Sequence, residues 1–266
     1  MKYYGGIEAG GTKMICAVMN EDGVLAERFE CPTTTPEETM PKLIHFFNSY
    51  TIESLGIGCF GPIDVHKSSS TYGHILQTPK KAWRNFDFLG SFQKAFSVET
   101  VFTTDVNAAA YGEMISGTAT NNRNFLYITI GTGIGVGVII NREIYHGFTH
   151  PEAGHLLIRK HADDHFSGSC PNHHDCLEGL ASGPAIEARF KKKAFDLYED
   201  DPFWTIEAYY LAQAVYNYAL TVSPECVIFG GGVSKQRQLL PLIQKELEQL
   251  NMGYIALPDH KSFLRH

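Results

Sequence analysis

No run of about 18 apolar residues occurs anywhere in this chain, which excludes a hydrophobic transmembrane helix. The opening MKYYGGIEAGGTK lacks the apolar stretch of a secretory leader after its lysine. A cytoplasmic protein without a membrane partner is therefore expected. Basic residues are also in short supply. There are 22 Lys and Arg against 29 Asp and Glu, a net charge of −7 at pH 7, and this argues against nucleic acid as a partner. No linker rich in Pro, Gly or Ser and no low-complexity tract interrupts the 266 residues, of which 44% are hydrophobic. Disorder is thereby excluded, and any two domains are tightly joined. Cysteine is sparse, at six residues. In a reducing compartment a Cys/His cluster points to metal or catalysis before disulfide. Cys16, Cys59 and Cys226 lie inside apolar runs and count as small hydrophobes. Cys31 carries no evident role. Only Cys170 and Cys176 share a polar neighbourhood, CPNHHDC.

What is present is an α/β pattern. YYGGIEA, KMICAVMN and VLAERFE read as three strands, the last two joined by an Asp22-Gly23 hairpin turn. Thr35 and Pro36 mark a helix start, and Pro41 is expected to shorten or kink that helix. SLGIGCFG is a buried strand ending at Gly61-Pro62. A helix over 87–96, the strand VETVFTTD and a helix closed by Gly117 follow. A second block opens with FLYITIG and GVGVII around a glycine turn. It continues with helices over 184–195 and 203–222, the strand CVIFGGGVS and a last helix to about residue 250. Both blocks open with a hairpin around glycines, a weak internal repeat of pattern. The division expected is 1–117 and 118–266.

Three glycine clusters fall at strand ends: Gly10-Gly11-Thr12-Lys13, Gly131-Thr132-Gly133-Ile134-Gly135 and Gly230-Gly231-Gly232-Val233. Without a Cβ, backbone N–H groups can approach a phosphate, and Thr12, Thr132 and Lys13 add donors. Each cluster alone is equally a tight hairpin. None matches the P-loop or dinucleotide patterns, but three at strand ends favour a nucleotide. Asp105 ends VFTTD and begins a helix. A carboxylate there suits proton abstraction from a substrate hydroxyl, or plain helix capping. Cys170-x-x-His173-x-x-Cys176 supplies three zinc ligands. For the fourth, His155 within HPEAGH is the best candidate, with His150, His161, His165 and His174 as rivals. The alternative is a loop with solvated histidines. Glu152 and Glu178 flank the cluster.

Taken together, GGIEAGGTK, GCFGPID, TTDVNAAAYGE, YITIGTGIGVG, HPEAGH and CPNHHDCLEGLASGPAIEAR resemble the ROK family of sugar kinases, in its bacterial fructokinase branch. The resemblance implies a two-lobed actin-like ATPase (ribonuclease H-like) α/β fold with a zinc-binding loop, using ATP with Mg²⁺ to phosphorylate D-fructose. It implies that Gly10, Gly11, Thr12 and Lys13 form the first phosphate loop, and Gly131, Thr132 and Gly133 the second. Gly230, Gly231, Gly232, Val233 and Ser234 would lie by the adenosine, with Pro184 and Lys235 close by. Asp105 would be the general base. Glu152, His155 and Glu178 would hold the sugar, with Gly61 lining its pocket and Thr104 among the substrate-binding residues. Zn²⁺ would be bound by His155, Cys170, His173 and Cys176, as a structural ion. A homodimer is implied on the same ground alone.

Three departures bear on the branch. Glu8 stands where many relatives have Asp, and Thr104 precedes the catalytic Asp where glucose or N-acetylhexosamine kinases have Asn. The change at Thr104 fits a different hexose. The chain also stops at DHKSFLRH, and the strand, the glycine-containing adenosine-side segment and the final helix that follow the last helix in relatives are expected to be missing, with reduced stability or ATP affinity. The rivals are a kinase for mannose, glucose or another hexose, and a catalytically silent sugar-binding remnant. The sugar-sensing repressors of the family carry an N-terminal helix-turn-helix module, whereas this chain opens on the first phosphate-motif strand.

Overall fold

The structure is a computed structural model. It describes residues 1–266, without the side chains of residues 260 and 261. The chain forms two compact units, one of residues 1–109 with 146–150, the other of residues 110–145 with 151–266.

The first unit is built on β1 (Tyr3–Ala9), β2 (Lys13–Asn20), β3 (Leu25–Pro32), α1 (Pro36–Phe47), β4 (Ile52–Cys59), β5 (His74–Ile75), β6 (Phe86–Asp87), α2 (Phe88–Ala95) and β7 (Glu99–Thr104). Its sheet has the order β3-β2-β1-β4-β7. The first three strands are antiparallel, and β4 and β7 then run parallel to β1. The β2–β3 turn forms at Asp22-Gly23, where Gly23 adopts φ +76°, a left-handed conformation that glycine takes without a Cβ penalty. Alternation along β2 sends Met14, Cys16 and Val18 inward to meet Leu43 and Phe47 of α1. Pro41 neither shortens nor breaks α1, which continues six residues beyond it to Phe47. Thr35 is the N-cap by backbone conformation, but its side chain makes no capping bond. Trp83, fully buried, sits edge-on to Phe60 and Phe86, and its indole N–H donates to the Thr34 carbonyl at 2.7 Å.

Helix α3 (Asp105–Ser116) leads into the second unit. There follow β8 (Phe125–Ile130), β9 (Ile134–Ile140), β10 (Glu143–Ile144), α4 (Leu177–Ala181), α5 (Gly183–Phe190), α6 (Phe203–Val222), β11 (Cys226–Gly230), α7 (Leu239–Asn251), α8 (His260–Phe263) and β12 (Leu264–Arg265). The sheet order is β10-β9-β8-β11-β12. Again a three-stranded antiparallel meander is extended by two parallel strands. Both sheets therefore have the local order 3-2-1-4-5, the repeat expected of the actin-like ATPase fold. Alternate residues of β8 face opposite layers: Leu126, Ile128 and Ile130 pack with α4, α6 and α7, while Phe125 packs with Ala110 and Met114 of α3. Trp204, Leu211 and Val215 of α6 are buried, each contributing about 1.5–3 kcal/mol. Trp204 donates its indole N–H to the Tyr198 carbonyl at 2.8 Å.

Two expectations change here. The helix predicted over 184–195 ends at Phe190, because Lys191 turns left-handed at φ 56°; a separate 3₁₀ turn covers Ala194–Asp196. Leu264 and Arg265, which carry no strand-length periodicity, pair in parallel with Val227 and Ile228 as β12.

Candidate functional site

In the first unit the register sets three chain exits side by side. Ala9 pairs with Cys59, and Cys59 with Thr104. The parallel strands β1, β4 and β7 thus end on one line, and Gly10, Phe60-Gly61 and Asp105 follow directly. Loops at the carboxyl ends of parallel strands are where α/β sheets place ligands. The Gly10 loop is clamped from behind: the Thr33 hydroxyl donates to the Gly10 carbonyl at 2.6 Å, and the Thr33 N–H to the Thr12 carbonyl at 2.9 Å. Gly61-Pro62 is cis. After it, the Ile63 N–H donates to Nε2 of His150 at 3.2 Å. This fixes buried His150 in the first unit.

Asp105 is half-buried at the first position of α3. Its Oδ1 accepts the Val106 N–H at 2.8 Å. Capping falls to its neighbour, since buried Thr104 accepts the Asn107 N–H with its hydroxyl at 3.2 Å. The capping role weighed for Asp105 is therefore held by Thr104, and the Thr104 hydroxyl is engaged inside the fold. Lys13 is also engaged: its Nζ lies 3.1 Å from Oε2 of Glu30 on β3.

The second unit holds the Cys/His cluster. Cys170 and His174 exchange backbone hydrogen bonds at 3.3 and 3.0 Å, closing a tight turn through Pro171-Asn172-His173 with His174 at φ 54°. The turn brings Cys170, His173 and Cys176 onto His155, which sits at the end of a single 3₁₀ turn, Ala153–His155. Cys170 Sγ is 3.7 Å from His155 Nδ1 and 3.8 Å from His173 Nδ1, and Cys176 Sγ is 3.5 Å from His155 Nδ1. All four ligand atoms lie within 4.8 Å of one another. Metal–sulfur bonds of about 2.3 Å and metal–nitrogen bonds of about 2.0 Å give a tetrahedron with edges of about 3.5 Å. The donor set and its spacing fit Zn²⁺. Burial pushes the Cys176 thiol up to about 11, with the Gly179 N–H opposing and Cys170 adding to the rise; a thiolate here calls for a cation.

Of the rival histidines, His150 lies in the other unit. The ring of His161 accepts the Asp163 N–H at 3.2 Å. His165 and His174 are exposed and outside the cluster.

Around the cluster, Glu178 is held from two sides. Its Oε1 is 3.9 Å from His155 Nε2, and its Oε2 accepts the Ile134 N–H at 2.9 Å. A carboxylate behind a metal-binding imidazole fixes the tautomer and the ring plane. The loop bearing His155 lies so close to β9 that a Cβ on Gly154 would collide with the Ile134 carbonyl oxygen. Glu152 keeps solvent access, yet partial burial raises its carboxyl; His155 opposes this and Glu178 adds to it.

Glycine turns stack beside this arrangement. The Gly183 N–H donates to the Gly131 carbonyl at 2.9 Å, and Ser182 caps α5 by accepting the Ala185 N–H at 3.4 Å. Pro184 is exposed at the start of that helix. Gly231, at φ +90°, lies against the Ile130 backbone. Gly230 and Gly232 flank it, and Val233–Lys235 form a 3₁₀ turn. Val233 and Ser234 are buried, with the Ser234 hydroxyl donating to the Gly231 carbonyl at 3.0 Å, whereas Lys235, Thr132 and Gly232 are exposed.

A buried polar group unsuspected from the sequence anchors the far end of the metal loop. Arg189 donates to Asp164 at 2.9 Å and to the Leu180 carbonyl at 3.0 Å, and lies 4.6 Å over Phe166 and 4.8 Å over Phe203. Tyr210 donates to Asp164 at 2.7 Å. Burial alone would raise the Asp164 carboxyl, but hydrogen bonds from Tyr210, the Phe166 N–H and Arg189 outweigh it and hold it below the usual range. Glu207, fully buried nearby, is raised well above the carboxylate range by burial, with Arg189 opposing. Neither of its oxygens has a hydrogen-bond partner among the described residues.

The family model described as "ROK family" matches residues 4–264. A fructokinase of Lactococcus lactis subsp. cremoris is 47% identical over 96% of this chain and 88% of its own length. A fructokinase of Pediococcus pentosaceus is 45% identical over 98% and 90%. Among solved structures, a ROK hexokinase from Thermus thermophilus superposes with a TM-score of 0.80 at 23% identity, covering 99% of this chain and 92% of that one. No helix of the described residues is long and apolar enough to cross a membrane.

Proposed function

The chain belongs to the ROK family, and from that premise we propose that it is an ATP-dependent fructokinase, transferring the γ-phosphate of ATP to D-fructose to give fructose 6-phosphate. One observation carries the chemistry. The in-register ends of β1, β4 and β7 put a glycine loop, the Gly61 turn and the Asp105 carboxylate at one edge of one sheet, so that phosphate loop and base share a rigid support.

In the mechanism, Asp105 accepts the proton of the sugar hydroxyl as that oxygen attacks the γ-phosphorus in line. The bond from the γ-phosphorus to the bridging oxygen breaks, and ADP leaves with the electron pair. Mg²⁺, bound together with ATP, would offset charge on the phosphate oxygens. Gly10, Gly11 and Thr12 offer N–H and hydroxyl donors to phosphate from the first unit. Gly131, Thr132 and Gly133 are the second phosphate loop, with Pro184 and the Gly230–Lys235 turn on the adenosine side. The burial of Val233 and Ser234 leaves their backbone, not their side chains, for that role. Glu152, His155 and Glu178 hold the sugar, and Gly61 lines its pocket. His155, Cys170, His173 and Cys176 would hold a zinc ion, which would supply a structural cross-link for the loop. A cytoplasmic homodimer completes the proposal.

ADP release by the purified chain with Mg-ATP and a panel of hexoses tests this. Fructose is expected to give the highest kcat/KM. Asp105→Asn should keep sugar binding and lose turnover by about 10³-fold. A variant with near-normal turnover removes Asp105 as base, and a preference for mannose or glucose removes fructose as substrate.

A further inference from the structure

The lysine that the sequence places in the first phosphate loop points elsewhere. Lys13 and Arg28 both bond Oε2 of Glu30, at 3.1 and 2.7 Å, and these bonds hold the Glu30 carboxyl below its ordinary value. A different lysine reaches the loop. A Cβ built on Gly11 would have one neighbour within 4 Å, the Cε of Lys80, at 4.0 Å. Lys80 is half-buried, and no carboxylate pairs with it among the described residues.

Its position is built rather than incidental. The Lys80 N–H donates to the hydroxyl of buried Thr78 at 3.4 Å, and Arg84 Nε donates to the Thr78 carbonyl at 2.7 Å. The Trp83 N–H closes the turn on the Lys80 carbonyl at 2.9 Å. Trp83 in turn donates to Thr34, the neighbour of the Thr33 that clamps Gly10 and Thr12. Glycine loop and lysine turn are thus fastened to adjacent residues, the loop to Thr33 and the turn to Thr34. A flexible ammonium beside N–H donors without a Cβ is a phosphate-binding arrangement.

We propose that Lys80, not Lys13, is the cation of the first phosphate loop and that it binds the terminal phosphoryl group of the nucleotide, an assignment that rests on the kinase reading. Lys80→Gln, Lys80→Arg and Lys13→Gln test it by steady-state kinetics and by calorimetric binding of inorganic tripolyphosphate. Lys80→Gln should lower kcat/KM for ATP about 100-fold and weaken tripolyphosphate about tenfold. Lys80→Arg should restore part of both, and Lys13→Gln should stay within about threefold of the parent. Parental kinetics and tripolyphosphate affinity in Lys80→Gln, or the larger loss in Lys13→Gln, would overturn the assignment. If the parent chain turns over no hexose, the kinase reading falls, and the tripolyphosphate arm alone decides whether Lys80 binds phosphate.

Discussion

The two units share the strand order 3-2-1-4-5 but support their functional loops by different means. In the first, the loops are short exits from three parallel strands, backed by an aromatic core around Trp83, Phe88 and Phe92. In the second, the chain from residue 151 to residue 176 holds one 3₁₀ turn and two isolated β-bridges, Leu157–Cys176 and Cys170–His174, among the described residues. Such a stretch cannot bury enough apolar surface to order itself. It is pinned instead at two polar points, the Cys/His cluster and the Asp164–Arg189–Tyr210 group. The same strand order thus carries loops set by strand register and local clamps in one unit, and a long loop gathered at a Cys/His cluster in the other.

Removing the metal breaks the comparison most sharply. Chelation, or Cys176→Ser, should destabilise the second unit by about 5 kcal/mol. Hydrogen exchange should rise across residues 156–178 while β1, β4 and β7 keep their protection; uniform loss over both sheets would show that the metal supports the whole chain. Next in size, Gly154→Ala forces a methyl group against the Ile134 carbonyl and should cost about 3 kcal/mol by denaturant unfolding. A value near zero would show that the loop yields there.

Glu207→Gln probes the second anchor. The folded pKa of Glu207 is raised above its unfolded value. The native state therefore holds a proton that the unfolded chain releases. The associated stability is present at acid pH and lost as pH rises through the folded pKa. Glutamine removes that loss, so the melting temperature at pH 8 should rise by about 3 °C relative to the parent, with little change at pH 4. A fall at both pH values would mean that the carboxylate is charged and paired. The smallest effect is expected at the exposed Lys13–Glu30 pair: Glu30→Gln should leave the melting curve unchanged, and a measurable drop would mean that the first unit, too, depends on a polar clasp.

Much of this was legible in the residues. Asp22-Gly23 specifies its hairpin without tertiary help, the glycine clusters mark strand ends, and CPNHHDC carries three ligands at loop-closing spacing. His155 in HPEAGH leads the candidates for the fourth, but spacing alone does not exclude four other histidines, and the fold does so by bringing only His155 onto the cluster. The engagement of Lys13 was hidden, since it depends on the register that sets Glu30 on β3 beside it. Lys80 was hidden for a related reason: it lies 69 residues from Gly11 and reaches the loop only through the Trp83 turn. Thr104 and Asp105 are adjacent acceptors at one helix start, and only backbone geometry decides which of them caps. Pro41 misleads because a proline early in a helix has few preceding carbonyls to disrupt.

The chain has two tryptophans, and each unit owns one. Trp83 and Trp204 are both buried, and each donates its indole N–H to a backbone carbonyl. The protein therefore carries a separate fluorophore for each half. A Trp204→Phe protein emits only from beside Thr34, next to the clamp on the Gly10 loop, so its light should register nucleotide arriving. A Trp83→Phe protein emits only from the half that carries the Cys/His cluster, so its light should register loss of zinc on chelation.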